Sequence, residues 1–204
     1  MTTTETPVHA RLDEAAARLL FTEARTVNTF SDEPVTDEEL QSIWDLAKWP
    51  PTSANTQPLR VVFVRTAEGK ARLLRHMNEG NVAKTRSAPV TAILAADRRF
   101  HEHLPTILPF RPEMKDHLEA QNEARERMAT FNSTLQAAYF ILAVRANGLH
   151  AGPMGGFDAS GVDREFFPDG RLHAILTVNI GHPGDNPWFG RLPRLANDEV
   201  LQWA

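Results

Sequence analysis

Five short stretches of this sequence carry side chains that could hold a charged or a flat ligand: residues 25–30, 51–58, 81–84, 152–158 and 191–193. Arg25 closes a helical pattern and is followed by Thr26, Asn28 and Thr29; the simplest use of such an arginine is to complement a helix dipole. Pro51-Thr52-Ser53-Ala54-Asn55-Thr56-Gln57-Pro58 has the prolines and small polar residues of a turn. Turn chemistry does not explain why Asn55 and Gln57 stand between those prolines with a strand directly behind. Asn81 and Lys84, taken alone, read as surface residues. Gly152-Pro153-Met154-Gly155-Gly156-Phe157-Asp158 is rich in glycine, which lets a main chain approach a flat ring closely. Nucleotide signatures of the Gly-x-Gly-x-x-Gly and Gly-x-x-x-x-Gly-Lys types are missing. His101 and His103 with Asp97 lack the i, i+4 spacing that lets two rings share an ion, so that stretch is expected to be a solvated loop, with no metal site. There is no cysteine, and any redox chemistry therefore needs a bound cofactor.

The elements that must position these residues follow from periodicity. Leu12, Ala15, Ala16, Leu19 and Leu20 place an apolar stripe on a first helix from Ala10 to about Ala24. Thr36 with Glu39 three residues on predicts a capping box, and the helix it opens stops at Pro50-Pro51. Val61–Val64, Val90–Ala96 and Ala174–Ile180 read as buried strands, and Ala67–Met77 as a short helix. Residues 98–112 read as irregular, and Glu113–Met128 as a helix crossing the surface. Phe131, Leu135, Ala138, Tyr139, Leu142 and Ala146 predict a core helix capped by Gly148. Gly152–Phe157 reads as a turn, Asp158 as the cap of a further short helix, and residues 184–204 as a loop-like tail.

Helices and strands intermixed with long connections predict an α+β fold, a sheet covered by helices. At 204 residues, 42% of them hydrophobic, the chain is expected to form one domain over 1–204, with 1–8 as a flexible tail. A formal charge of -4 without a basic tract argues against a nucleic-acid partner. The chain shows neither a signal-like start nor a membrane-length apolar run, so a cytoplasmic protein without membrane association is expected.

Taken together and in order, the five stretches resemble the FMN-dependent nitroreductase family. The similarity covers nearly the whole chain. It implies a central, mostly antiparallel sheet flanked by helices, and a homodimer in which both subunits contribute to each of two FMN sites. Arg25, Thr26, Asn28 and Arg191 would then serve the FMN phosphate through charge-assisted hydrogen bonds. Pro51, Thr52, Ser53, Asn55 and Gln57 would supply amide and hydroxyl contacts to the flavin, and Asn81 and Lys84 would contact its ring. Pro153, Met154, Gly155 and Gly156 would lie against the ring with a backbone amide aimed at N5. Two positions depart from the family pattern: Asn28 stands where a basic residue is common, and Gly155 where Glu is common.

The resemblance further implies ping-pong hydride transfer from NADH or NADPH through flavin N5, with no covalent catalytic residue. Stretches 48–55, 152–158 and 191–195 are most similar to the malonic semialdehyde reductases of bacterial pyrimidine degradation. That similarity implies 3-hydroxypropionate as product, with Arg111, Arg125 and Arg127 as candidates for the substrate carboxylate. A general nitroarene or quinone reductase, and a non-catalytic FMN-binding electron carrier, remain as alternatives.

Overall fold

A computed structural model of the chain describes residues 11–204; the expected tail over 1–8 lies outside the described residues. Helix α1 (Glu14–Ala17) continues as a π-turn over Arg18–Thr22. Thr36 accepts from the Glu39 amide and Glu39 reaches back to the Thr36 amide, so the capping box opens α2 (Asp37–Ala47) where the sequence places it. Strand β1 (Leu59–Val64), α3 (Ala67–Leu74), α4 (Glu79–Ser87) and β2 (Val90–Asp97) follow. Next come α5 (Leu104–Ile107), α6 (Met114–Glu119), α7 (Asn122–Ala146), β3 (His150–Met154), α8 (Ala159–Phe166), β4 (Leu172–Gly181) and α9 (Asn197–Val200).

The sheet has the order β1-β2-β4-β3 and every pairing is antiparallel. Side chains alternate between two covered faces. Leu59, Ala92, Leu94, Val178 and Ile180 meet Ile43 and Ala47 of α2 and Phe140 and Val144 of α7. Val64, Ile93, Ala95 and Ala174 meet Leu73 of α3 and Val162 of α8. Central strand β2 is buried at every residue, which is why it reads as an uninterrupted apolar run. Pro153 is tolerated because β3 is an edge strand, where a missing donor costs no ladder bond to an outer neighbour.

Four expectations need correction, and one helix has no counterpart in the sequence reading. Asn81 and Lys84 lie on a helix, α4, whose nearly featureless apolar pattern hid it. Gly152, Pro153 and Met154 form strand β3 rather than a turn, because neither glycine nor proline signals a strand. Helix α6 ends at Glu119, and α7 runs unbroken for 25 residues through the expected gap before Phe131. The expected core face of α7 points outward: Phe131 is 62% exposed, Leu135 40% and Tyr139 43%. Its inward face carries Asn132, Ser133 and Gln136 beside Ala137 and Phe140. Finally, His101 is buried on a short 3-10 turn, edge-on to Phe100 and paired with Glu119, and Asp97 is buried too.

Candidate active site

The loop before β1 is built around backbone strain. Ala54, Asn55 and Gln57 all adopt left-handed geometry, with φ of 52°, 52° and 42°, a region that disfavours side chains other than Asn. What holds it is polar. The inward amides of α7 supply part of the hold: Asn132 Oδ1 accepts from the Ser53 amide at 2.7 Å, and Gln136 Oε1 from the Leu59 amide at 3.0 Å. Asn55 Nδ2 donates to the Ile107 carbonyl at 2.8 Å, and Gln57 Nε2 donates to Asn55 Oδ1 at 2.8 Å. From below, Arg60 Nη1 donates to the Gln57 carbonyl at 2.9 Å while its Nη2 pairs with Asp97 at 2.8 Å.

Asp97 is fully buried and receives both Nε and Nη2 of Arg171 at 2.9 Å. Burial by itself would raise its carboxyl, but the Arg171 and Arg99-amide hydrogen bonds and the charge of Arg60 hold it below the usual carboxylate range. Sequence reading set Asp97 aside as part of a solvated loop and missed its role. The available signal was an acidic residue ending an otherwise apolar strand, which demands a partner when buried.

A second group forms around β3. Asn81 Nδ2 donates to the Gly156 carbonyl at 2.8 Å, and the Asn78 amide donates to the same oxygen at 3.1 Å. A Cβ at Gly156 would lie 2.7 Å from Asn81 Nδ2, so a larger residue there would displace the Asn81 amide from this hydrogen bond. At Gly155 a Cβ would meet nothing within 4 Å, which leaves a stretch of bare main chain open beside α4. Lys84, three residues after Asn81, shares its helix face and pairs with no carboxylate among the described residues.

At the other end of β3, the first and last stretches meet. The Val27 amide donates to the Ala151 carbonyl at 3.4 Å, and the Asn28 amide to the Pro187 carbonyl at 3.0 Å. Arg25 Nη2 donates to the Phe189 carbonyl, and Arg191 Nη2 to the Ala24 carbonyl at 3.3 Å. Arg25 also lines a cavity of about 350 Å³ with Arg145, His150 and Trp188, a cationic group that the sequence motifs did not single out. Desolvation, then the charges of His182 and Arg145, push the His150 imidazole below its ordinary value. Thr26 is exposed and the Asn28 side chain turns back to the Thr26 carbonyl at 3.4 Å.

One chain therefore gathers residues 25–28, 81–84, 153–156 and 191 along β3, but leaves Pro51, Thr52, Ser53, Asn55 and Gln57 apart. Strands β1 and β3 are opposite edges of the sheet. Leu59 stands at the level of His173, four positions along β4 from the Thr177 that faces Met154. At standard strand rise and spacing, the two places are roughly 20 Å apart. The arginines considered for a substrate carboxylate are engaged elsewhere. Arg125 donates to the Arg98, Leu118 and Glu119 carbonyls, closing the junction of α6 and α7; Arg111 pairs with Glu113 and Arg127 with Glu123.

Comparison with known proteins places this architecture. The family model described as the Nitroreductase family matches residues 22–182. A Streptomyces coelicolor protein named "Putative NADH dehydrogenase/NAD(P)H nitroreductase SCO7141" is 59% identical over 194 residues, 95% of this chain and 96% of that protein. A Leptothrix cholodnii protein of the same general name is 49% identical over 92% of this chain and 95% of its own length. Among solved structures, a "putative nitroreductase in complex with FMN" from Exiguobacterium sibiricum superposes with a TM-score of 0.81 at 19% identity, covering 96% of this chain and 99% of that one. The "putative nitroreductase ydfN" of Bacillus subtilis gives 0.80 at 22% identity, covering 93% and 99%. The fold is thus nitroreductase-like, and the chain belongs to the nitroreductase family. No helix among the described residues is long and apolar enough to cross a membrane.

Proposed function

We propose that this protein is an FMN-dependent NAD(P)H oxidoreductase acting as a homodimer, with malonic semialdehyde as its acceptor and 3-hydroxypropionate as product. The carrying observation is the division of the candidate site. Residues that suit a mononucleotide line β3, whose five residues span about 16 Å from the Arg25 end to the Gly155 end, while the loop over 51–57 is presented at the far edge. A second copy that brings its loop to this chain's β3 completes the set.

The residues present fit FMN: bare main chain at Gly155 can face a flat ring, and Lys84 has no competing carboxylate among the described residues. When bound, FMN supplies the hydride-transfer chemistry at N5. The protein's own part is binding and orientation. Arg25 and Arg191 supply positive charge for a phosphate, a demand sharpened by the amide at Asn28. Lys84 would favour negative charge developing on a bound flavin ring, and Asn81 fixes the Gly156 carbonyl and with it the main chain that would face the ring.

A broader nitroarene or quinone reductase is a second reading, supported by the nitroreductase names of the relatives and by the commitment of Arg111, Arg125 and Arg127 to other partners. Purified protein should show a flavin spectrum and should be bleached anaerobically by NADH or NADPH. Turnover should then be compared with malonic semialdehyde, quinones and nitroarenes. A flavin-loaded protein that reduces nitroarenes but not the semialdehyde would leave the second reading standing. One that is reduced but is turned over by none of the added acceptors would point to an electron carrier.

A further inference from the structure

Lys70 is a lysine in the wrong place for a surface residue. It lies on the inward face of α3 at 9% exposure, and no carboxylate among the described residues pairs with it. Its ammonium donates to the Thr85 carbonyl at 3.1 Å and to the Ala88 carbonyl, both at the C-terminal end of α4. Those carbonyls have no partner within the helix, and a cation there also complements the dipole. Pro89 follows immediately, so the chain cannot satisfy them by continuing the helix. Helix α4 needs such a hold, because Thr85 is the one residue along it that is buried.

The hold extends beyond α4. Thr85 Oγ1 donates to Met154 Sδ at 3.6 Å. Asn179 Nδ2 lies 3.5 Å from Thr85 Oγ1 and 3.7 Å from Met154 Sδ, while its Oδ1 accepts from Thr91 at 2.8 Å. Thr85, Thr91, Asn179 and Met154 are all buried. One polar network therefore ties α3, α4, β2, β4 and the end of β3 together, and it reaches both segments that would face the flavin ring.

We propose that Lys70 is a positioning residue: its buried ammonium clamps the last turn of α4 and, through Thr85, registers α4 against β3, so that Lys84 and Asn81 stand at a fixed place relative to Met154–Gly156. This rests on the FMN reading above for what the two segments face. A stabilising role is a poor explanation for the lysine, since burial without a counter-charge is costly and lowers its pKa to about 8. What the ammonium provides is two directed hydrogen bonds that an apolar side chain of equal length would lack.

Lys70→Met tests the clamp in two ways. In the flavin-free protein, amide exchange in the last turn of α4 should rise roughly tenfold or more, with the sheet amides unchanged. In the FMN-loaded protein, the midpoint potential should move in the direction that Lys84→Met moves it, and the Lys70→Met/Lys84→Met double variant should shift by clearly less than the sum, because both act through one ammonium. Parental exchange and potential in Lys70→Met, or additive shifts in the double variant, would overturn the proposal. Should Lys70→Met not fold, Lys70→Gln, too short to reach both carbonyls, should show the same changes at smaller size; parental values there would equally overturn it. A parent protein that retains no FMN defeats the functional reading, while amide exchange still decides the clamp.

Discussion

Arg25 and Lys84 are asked to do different things, and substitution separates them. Arg25 would meet a phosphate whose charge is constant, so Arg25→Ala should weaken FMN binding by roughly 1.5–3 kcal/mol, the scale of a charged hydrogen bond. Riboflavin, which lacks the phosphate, should lose little affinity, and titration of both ligands reads the difference. Equal FMN affinity in parent and variant would remove Arg25 from the site. Lys84 would instead meet charge that develops on reduction, so Lys84→Met should lower the flavin midpoint potential and slow anaerobic reduction by NAD(P)H, with oxidised FMN affinity nearly kept. A single preorganised donor is worth about 2.7–4 kcal/mol in a dry site; the half-exposed position of Lys84 argues for less. Both residues were candidates from sequence because their neighbours resemble a family motif. Lys70 and Asp97 were not, since nothing in a sequence tells a buried charge from a surface one until the packing partner is known.

Elements were legible where backbone chemistry announces itself and obscure where packing decides. The Thr36 capping box and the Pro50-Pro51 stop fixed α2 closely, whereas α4 and β3 carry weak local signals and exist through their tertiary contacts. The reversed face of α7 has a sharper cause. The apolar spacing predicts the opposite face inward, yet Asn132 and Gln136 face the protein because the strained loop presents amides that no strand partner satisfies. The same loop depends on the Asp97 group, and this gives a pH prediction. Asp97 has its carboxyl held below the ordinary range, so its contribution is present above about pH 4 and is lost as pH falls through its folded value. Arg60 and Arg171 face it and keep their charge, and Glu102 lies 3.1 Å from Arg171 as a further ion-pair partner. Asp97→Asn should cost about 3 kcal/mol at neutral pH, the low end for stranding a buried pair because both arginines are one-third exposed. Denaturant unfolding should show the variant's stability falling less steeply below about pH 4 than the parent's. Equal slopes would mean that the arginines are satisfied without Asp97.

At the scale of the whole molecule, the outward stripe of α7 and the divided site ask for the same thing. Phe131, Leu135 and Tyr139 on α7, with Phe189, Leu192, Leu195 and Trp203 of the C-terminal segment, leave large apolar side chains exposed on the single chain. Large apolar side chains exposed in that number are a liability for a monomer and ordinary for a subunit interface. A two-fold dimer uses such a face against itself, and it would also return the loop over 51–57 of each copy to the β3 of the other. Two measurements separate a shared site from two independent ones. Phe131→Glu with Leu135→Glu places charges on the stripe and leaves the inward face intact, so it should give a folded monomer by sedimentation and circular dichroism, with FMN binding lost. Complementation is the stricter test. Arg25→Ala chains and Asn55→Ala chains, each defective as a homodimer, should recover about a quarter of the parental FMN sites when unfolded and refolded together in equal amounts, because half of the dimers are mixed and each mixed dimer has one site built from unaltered contributions. If every site drew its residues from one chain, each site in any mixture would carry a substitution, and no recovery would occur. A flavin-loaded, active monomer would lead to the same conclusion by a shorter route.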